Sequence, residues 1–265
     1  MGAGLRSGAV RLLIWPALCA VALVAGACAT PGINHVYVAT RGGAPLRDLA
    51  PAGDAVADVP THTTASDVIL GLAYDFNTDH LFLRLAPGNI IRVIERPSGR
   101  QLREMTLPEL PEGAVTIAGT PTSDLAIRSR DRHLFAIMPD GRSILETTLS
   151  GDYVRTIGPL SLPGPIGGLA YDQKSDRLLA LVATGPARIV AVGPDGKITD
   201  GATLSEPLRP VSLAYDSDRG HYFVPLADDR SMGEFDADGR LIARTPIESP
   251  VSALDAGPRS FLRVF

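Results

Sequence analysis

Short apolar runs alternate with polar turns along the chain from Pro31 onward, and no long segment repeats its apolar positions at the helical period. Proline and glycine interrupt these runs about every eight to twelve residues. The clearest unit is residues 188–198, where an apolar run of strand type is followed by Gly-Pro-Asp-Gly, a cation and a second apolar residue. This pattern predicts an all-β array of strands joined by tight turns.

The same unit recurs five times, and in each copy a glycine falls eight residues after the first residue of the unit. A tight turn between antiparallel strands needs a residue at positive φ, which glycine adopts without a Cβ clash. Successive turn glycines are separated by 56, 42, 55 and 43 residues, and they are Gly43, Gly99, Gly141, Gly196 and Gly239. A four-stranded propeller blade spans about 40 to 50 residues, so we interpret each copy as the hairpin of strands c and d of one blade. The longer separations then predict insertions.

A second repeated unit precedes three of the hairpins. Residues 71–75, 168–172 and 212–216 read Gly or Ser followed by Leu-Ala-Tyr-Asp, and a polar turn and another apolar run come after each. We assign these segments to strands a and b. A degenerate copy would place strand a at 114–119 and strand b at 124–127.

The two chain ends complement one another. Residues 34–49 supply only a hairpin of c and d type, whereas 251–255 and 260–265 look like strands a and b. Sharing one blade between the ends closes the ring and removes exposed strand edges. The sequence therefore predicts a single β-propeller domain over residues 34–265 with five blades, and six blades is the alternative.

The N-terminal segment carries a targeting pattern. Arg6 and Arg11 precede an apolar stretch at 12–24, and Ala-Gly-Ala-Cys follows at 25–28. This resembles the lipobox of bacterial lipoproteins, which implies a signal peptide over 1–27, a lipidated Cys28 and a short tether at 28–33. Because Ala29 rather than aspartate follows Cys28, the resemblance implies an outer-membrane lipoprotein that faces the periplasm. Simple secretion or a periplasmic location is the alternative.

The charge and the cysteine content limit the kinds of partner and cross-link that the protein is expected to have. The chain has a formal net charge of −4, no basic cluster, and two cysteines, Cys19 and Cys28. Both lie in or at the end of the targeting segment, so no disulfide framework is expected in the domain. A mildly acidic chain argues against nucleic acid as a partner. We expect a membrane contact through the lipid anchor, together with an envelope protein or a small-molecule ligand.

The repeats resemble those of the NHL and gluconolactonase-like propeller families. For the latter, the resemblance implies a hydrolase with a divalent metal ion in the central channel, held by glutamate, asparagine and aspartate. This chain departs from that pattern. Its strand a positions read Gly71, Gly168, Ser212 and Ser252, and its three asparagines (34, 77 and 89) fall at strand starts or in a turn. We therefore predict no cofactor, no metal ligands and no catalytic residue, with a calcium or zinc ion in the channel as the open alternative.

Several aspartate and histidine residues resemble metal ligands, but we assign them structural roles. The aspartates in 75–79 and 236–239 resemble pieces of calcium loops, yet they sit where the repeat demands a turn, and Asx-turn hydrogen bonds account for them. His35 and His133 occupy equivalent places in their hairpins, and His80 and His221 both open strand b. Equivalent positions on different blades lie apart around a ring, so a shared metal site is not expected.

Two predicted insertions, 51–66 and 150–165, would join strand d of one blade to strand a of the next and frame the channel mouth. With the short connections that share this face, they give seven candidate ligand-binding residues: His62, Asp67, Asp152, Tyr153, Arg155, Arg209 and Glu248. The leading hypothesis is a lipid-anchored binding or interaction module. The alternatives are a metal-dependent hydrolase or lactonase and a structural component of an envelope complex.

Overall fold

The structure, a computed structural model, describes Met1 and residues 33–113, 115–117 and 119–258. The described residues from Ile33 onward belong to one compact unit. All regular elements in these ranges are β-strands, and none of the described residues forms a helix long and apolar enough to cross a membrane. The predicted signal peptide apart from Met1, Cys28 with most of its tether, and the predicted strand at 260–265 lie outside the described residues.

The first half of the described chain forms thirteen strands: β1 (Asn34–Thr40), β2 (Leu46–Leu49), β3 (Ala55–Val59), β4 (Val68–Asp75), β5 (His80–Ala86), β6 (Ile90–Glu95), β7 (Gln101–Met105), β8 (Thr116–Ile117), β9 (Thr120–Pro121), β10 (Leu125–Arg128), β11 (His133–Ile137), β12 (Ile144–Thr148) and β13 (Tyr153–Ile157). The second half forms nine: β14 (Ile166–Asp172), β15 (Arg177–Val182), β16 (Arg188–Val192), β17 (Ile198–Thr203), β18 (Ala214–Asp216), β19 (His221–Pro225), β20 (Ser231–Phe235), β21 (Leu241–Pro246) and β22 (Val251–Pro258).

Twenty of these strands form five four-stranded antiparallel sheets, and β8 pairs with β9 in a small separate hairpin. In strand order from a to d the sheets are blade 1 (β22-β1-β2-β3), blade 2 (β4 to β7), blade 3 (β10 to β13), blade 4 (β14 to β17) and blade 5 (β18 to β21). The inner strands β22, β4, β10, β14 and β18 contact one another in that order and close into a ring. The predicted five-bladed β-propeller is confirmed.

The chain ends share blade 1 as predicted, but they divide it differently. The N-terminal segment supplies strands b, c and d, and β22 alone supplies strand a. β1 pairs with β22 from Asn34 opposite Pro258 to Thr40 opposite Val251. Blade 1 is therefore complete with the described residues, and its hairpin at Gly43 joins strands b and c rather than c and d.

The turn glycines belong to two kinds of hairpin. Gly43 and Gly141 lie between strands b and c, whereas Gly99, Gly196 and Gly239 lie between strands c and d. All five have φ between +63° and +83°, so both kinds of turn select the same residue. This mixture explains the uneven spacing, and the two predicted insertions are wrong. Residues 51–66 contain outer strand β3 and residues 150–165 contain outer strand β13.

Blade 3 was also assigned incorrectly from the sequence. Its strand a is β10, and the residues predicted as that strand lie instead in the connection 106–124, which carries the β8–β9 hairpin. This connection between blades 2 and 3 is the longest link between blades in the described chain.

The core lies between adjacent blades. On strand a of blades 2, 3 and 5 a buried alanine stands opposite a buried phenylalanine of strand b, in the pairs Ala73–Phe82, Ala126–Phe135 and Ala214–Phe223. The small residue leaves room for the aromatic ring where the sheets pack face to face. The outer d strands are largely exposed.

Candidate functional site

One carboxylate occupies the centre of the ring. A fully buried leucine lies on or just before each strand a. The residue that precedes this leucine is the axial position, and it is Gly71, Gly168, Ser212 and Ala253 in four blades and Asp124 in blade 3. Asp124 Oδ2 accepts hydrogen bonds from Leu169 N at 3.0 Å, Leu213 N at 3.1 Å and Ser212 Oγ at 2.9 Å. Four small residues leave the space that this one side chain fills.

Further polar contacts link the remaining blades around the axis. Leu254 N donates to Ser212 Oγ at 2.8 Å, which joins blades 1 and 5. Tyr74 N donates to Asp255 Oδ2 at 2.6 Å, which joins blades 1 and 2. Arg84 Nη1 donates to Ser123 O at 3.2 Å, which joins blade 2 to the segment entering blade 3. These contacts close the central channel with hydrogen bonds to backbone groups of neighbouring blades.

Burial sets the ionisation of these central groups. It raises the pKa of Asp124 well above its ordinary value, although the hydrogen bonds from Leu169, Leu213 and Ser212 oppose the shift. It raises the pKa of Asp255 to about 7 and lowers the pKa of Arg84 to about 10. The axis therefore favours neutral carboxyl groups over charged ones.

A cavity of about 150 Å³ lies above this closed centre. It opens on the face that bears the b–c turns and the d–a connections, which we call the connection face. Its described lining residues come from the starts of inner strands and from the loops that lead into them: Arg41, Val68, Ile69, Leu70, Thr116, Pro121, Ser123, Arg209, Val211 and Ser252. We call this space the mouth cavity.

The polar groups of the mouth cavity have spare bonding capacity. Arg41 lies on the exposed b–c turn of blade 1, and its guanidinium has no ion-pair or hydrogen-bond partner among the described residues. Arg209 pairs with Asp229 through Nη1. Ser252 is 9% exposed, and its Oγ is buried without a hydrogen-bond partner among the described residues. Buried hydroxyl groups are normally satisfied, so an unpartnered one beside a cavity indicates a place for a ligand or for water.

The sequence placed seven residues at this site, and Arg209 is the one among them that lines the cavity. His62, Asp67 and Glu248 lie in d–a connections on the same face. His62 Nε2 is bonded to Gly99 O at 2.8 Å, which links its loop to the c–d turn of blade 2. Asp67 Oδ2 accepts from Thr64 N at 2.7 Å and braces its own loop.

The other three predicted residues are not at the mouth. Asp152 lies in the c–d turn of blade 3, on the opposite face, and accepts a hydrogen bond from Thr148 Oγ1. Tyr153 and Arg155 lie on outer strand β13, where Tyr153 is 58% exposed and Arg155 pairs with Glu146 at 2.5 Å. The placement of these residues at the channel mouth was wrong, because the segment that contains them forms strand d.

Sequence reasoning missed Asp124, Arg41 and Ser123. A signal for Asp124 was present, because the dipeptide Leu-Ala follows the axial residue in four blades, at 72–73, 125–126, 169–170 and 213–214. Aligning the third blade on that dipeptide places Asp124 beside Gly71, Gly168 and Ser212. No comparable signal marks Arg41, whose role depends on the fold.

Three histidines, His35, His133 and His221, lie on strand b and pair with acids thirteen residues later on strand c. Their Nδ1 atoms lie 2.5 Å from Asp48 in the case of His35, 2.6 Å from Glu146 for His133 and 2.8 Å from Glu234 for His221. The predicted Asx-turn hydrogen bonds are also present, with Asn77 N donating to Asp75 and Asp238 N donating to Asp236. Within the described residues, no three potential metal ligands of the His, Cys, Asp and Glu types converge.

No protein-family model matches the chain, and no curated protein matches its sequence. Solved structures do match its fold. A chain of the nidogen/laminin complex matches with a TM-score of 0.58 and 12% identity over 84% of this chain and 98% of its own. A protein of unknown function from Bacteroides caccae matches with a TM-score of 0.51 and 12% identity, over 86% of this chain and 99% of its own. Another protein of unknown function, from Bacteroides thetaiotaomicron, matches with a TM-score of 0.52 and 15% identity, over 84% of this chain and 60% of its own. At these identities the likeness concerns the fold alone.

Proposed function

We propose that the protein is a cell-envelope binding module that takes a small molecule in the mouth cavity. The observation that carries this proposal is the cavity itself, which combines two arginines, three hydroxyl side chains and an apolar wall above a closed channel. Concave sites with a few converging polar groups on an apolar lining are typical of ligand pockets. A cavity of about 150 Å³ is small for a drug-sized ligand and suits a small metabolite or one end of a larger molecule.

The closed axis supports binding rather than passage through the ring. Asp124 is held by three donors from blades 4 and 5, so a ligand entering from the connection face meets a hydrogen-bonded floor. The short inner residues Gly71, Gly168 and Ser212 offer no strong ligand for a metal ion. These features favour a binding role over the metal-dependent hydrolase.

The proposed location follows from the N-terminal pattern. Lipidation of Cys28 would tether the propeller to the outer membrane on its periplasmic side. From there the module would present its connection face to a soluble ligand or to a ligand carried by an envelope protein.

A substitution that fills the mouth tests the proposal. Thr116 is exposed and lines the cavity, so Thr116→Trp should occupy it from the rim without disturbing the core. Thr199→Trp, on the exposed outer strand of blade 4, is the matched control. Purified full-length protein would be screened by thermal shift against a library of small metabolites. Compounds that stabilise the parent and the Thr199→Trp protein should lose their effect on Thr116→Trp.

Two results would contradict the proposal. Stabilising compounds that act equally on Thr116→Trp would place the ligand elsewhere. Turnover of a lactone or ester panel that depends on a bound calcium or zinc ion would instead support the hydrolase.

A further inference from the structure

The mouth cavity carries positive charge without a matching acid. Its charged lining residues are Arg41 and Arg209, and the other described lining residues are uncharged. Asp229 pairs with Arg209 from outside the lining and is 52% exposed. Asp67 bonds its own loop, and Glu248 is exposed on a neighbouring connection. The lining therefore presents one unpaired guanidinium and one that is only partly neutralised.

The acid of the floor is Asp124, whose Oδ1 is buried without a hydrogen-bond partner among the described residues. Asp124 Oδ2 accepts three hydrogen bonds from Leu169, Leu213 and Ser212, and burial raises its pKa. Behind the floor lies Arg84, a third arginine, which is 1% exposed and donates to Ser123 O. Arg84 is therefore a further cation beneath the cavity, and the carboxyl group of Asp124 is its nearby acid.

The two lining arginines belong to neighbouring parts of the ring. Arg41 lies on the b–c turn of blade 1, where its backbone N–H donates to Pro250 O. Arg209 lies on the connection into blade 5, where its backbone N–H donates to Pro225 O. Blades 5 and 1 are adjacent in the ring, and both arginines line the cavity. Ser252 adds an unpartnered hydroxyl on the first strand of blade 1.

Guanidinium groups form paired, charge-assisted hydrogen bonds with carboxylates and phosphates. Apolar neighbours such as Val68, Leu70 and Val211 exclude water, which strengthens those bonds. We propose that the mouth cavity binds a small molecule through an oxyanion group, a carboxylate or a phosphate, held by Arg41 and Arg209 with Ser252 as an additional hydrogen-bond partner. This inference rests on the proposed function and specifies the chemical class of its ligand.

Titration calorimetry at constant ionic strength tests this with three probes: succinate, inorganic phosphate and the neutral diamide succinamide. Full-length protein should bind succinate or phosphate at one site and should not bind succinamide. The preferred anion identifies which oxyanion the site takes. Arg41→Gln should weaken binding of the preferred anion by about tenfold, which is the contribution of one charge-assisted hydrogen-bonding group.

The matched control is Arg132→Gln. Arg132 is exposed on an a–b turn at the opposite face, and its side chain has no ion-pair or hydrogen-bond partner among the described residues. The substitution therefore removes the same charge far from the cavity. It should leave anion binding unchanged. Because Arg41 is itself exposed and unpaired, both variants should keep the parent's thermal midpoint.

Three outcomes overturn the inference. They are no binding of either anion, equal weakening by Arg41→Gln and Arg132→Gln, and binding of succinamide as strong as that of succinate. Thr116→Trp separates these from failure of the proposed function. If it abolishes binding of a neutral compound, the mouth is still the binding site and only the anion preference is wrong. If anions bind Thr116→Trp as tightly as they bind the parent protein, the mouth cavity is excluded as the binding site.

Discussion

Asp255 Oδ2 accepts a hydrogen bond from the backbone N–H of Tyr74 at 2.6 Å, across the boundary between blades 1 and 2. The two residues are 181 positions apart in sequence. This contact joins the last described strand to the first blade formed by continuous chain, so ring closure depends on a carboxyl group as well as on the β1–β22 pairing.

Asp255 should make the protein less stable as the pH rises toward neutrality. Burial raises its pKa to about 7, whereas an aspartate in the unfolded chain titrates near about 4. Between these values the folded state holds a proton that the unfolded state has released, so stability should fall as the pH rises from about 4 to about 7. The buried Asp124 contributes in the same direction.

Asp255→Asn should reduce that slope, as measured by urea unfolding midpoints across this pH range. Asp236→Asn is the control, because the backbone N–H and side chain of Arg240 lower the pKa of the half-buried Asp236. The stabilisation from Asp236 is present in full above its unfolded pKa and is lost only in more acidic solution. Asp236→Asn should therefore lower the unfolding midpoints evenly between pH values of about 4 and about 7 and leave the slope in that range unchanged. An unchanged slope in Asp255→Asn would contradict the assignment.

Asp124 should be important for the stability of the whole ring. Asp124→Ala removes the acceptor of three buried donors and should lower the free energy of unfolding by about 3 kcal/mol. Asp124→Asn keeps an acceptor oxygen and should lower it by about 1 kcal/mol. Denaturant unfolding measures both, and equal losses would mean that the hydrogen bonds at the axis contribute little.

Gly239 tests whether the c–d turns require glycine. Its φ is +83°, and an added Cβ would lie 2.3 Å from Thr203 O. Gly113 has the same φ, but no described atom lies within 4 Å of an added Cβ. Gly113→Ala should therefore lose about 1 kcal/mol of unfolding free energy from the backbone conformation alone. Gly239→Ala should lose about 2 kcal/mol more because the backbone of blade 4 must shift. Thermal or denaturant unfolding compares the pair.

Cys28 tests the proposed anchor. Cys28→Ser should abolish labelling of the protein by a fatty-acid analogue in growing bacteria and should release it from the membrane fraction. Cys19→Ser, within the apolar stretch at 12–24, removes the other cysteine and should change neither result. Membrane association that survives Cys28→Ser without lipid labelling would point to a different mode of attachment.

The sequence alone determined the class of fold, the number of blades and the sharing of one blade by the chain ends. These properties depend on local chemistry, namely apolar alternation in the strands and glycine at positive φ in the turns. The same local chemistry could not distinguish a b–c hairpin from a c–d hairpin. Gly141 and Gly196 satisfy equivalent turns, and only the pairing of strands β10 to β13 showed that residues 153–157 form an outer strand rather than part of an insertion.

The tertiary structure alone decided the site. Asp124 meets Leu169 and Ser212 across 45 and 88 positions of sequence, and Arg41 joins Arg209 at one cavity. The Leu-Ala repeat marks Asp124 as an axial position. Only the curvature of the whole ring sets which residues converge at its axis and at its mouth. Strand chemistry specified the repeating type of strand and turn, and the packing of five blades created the mouth cavity.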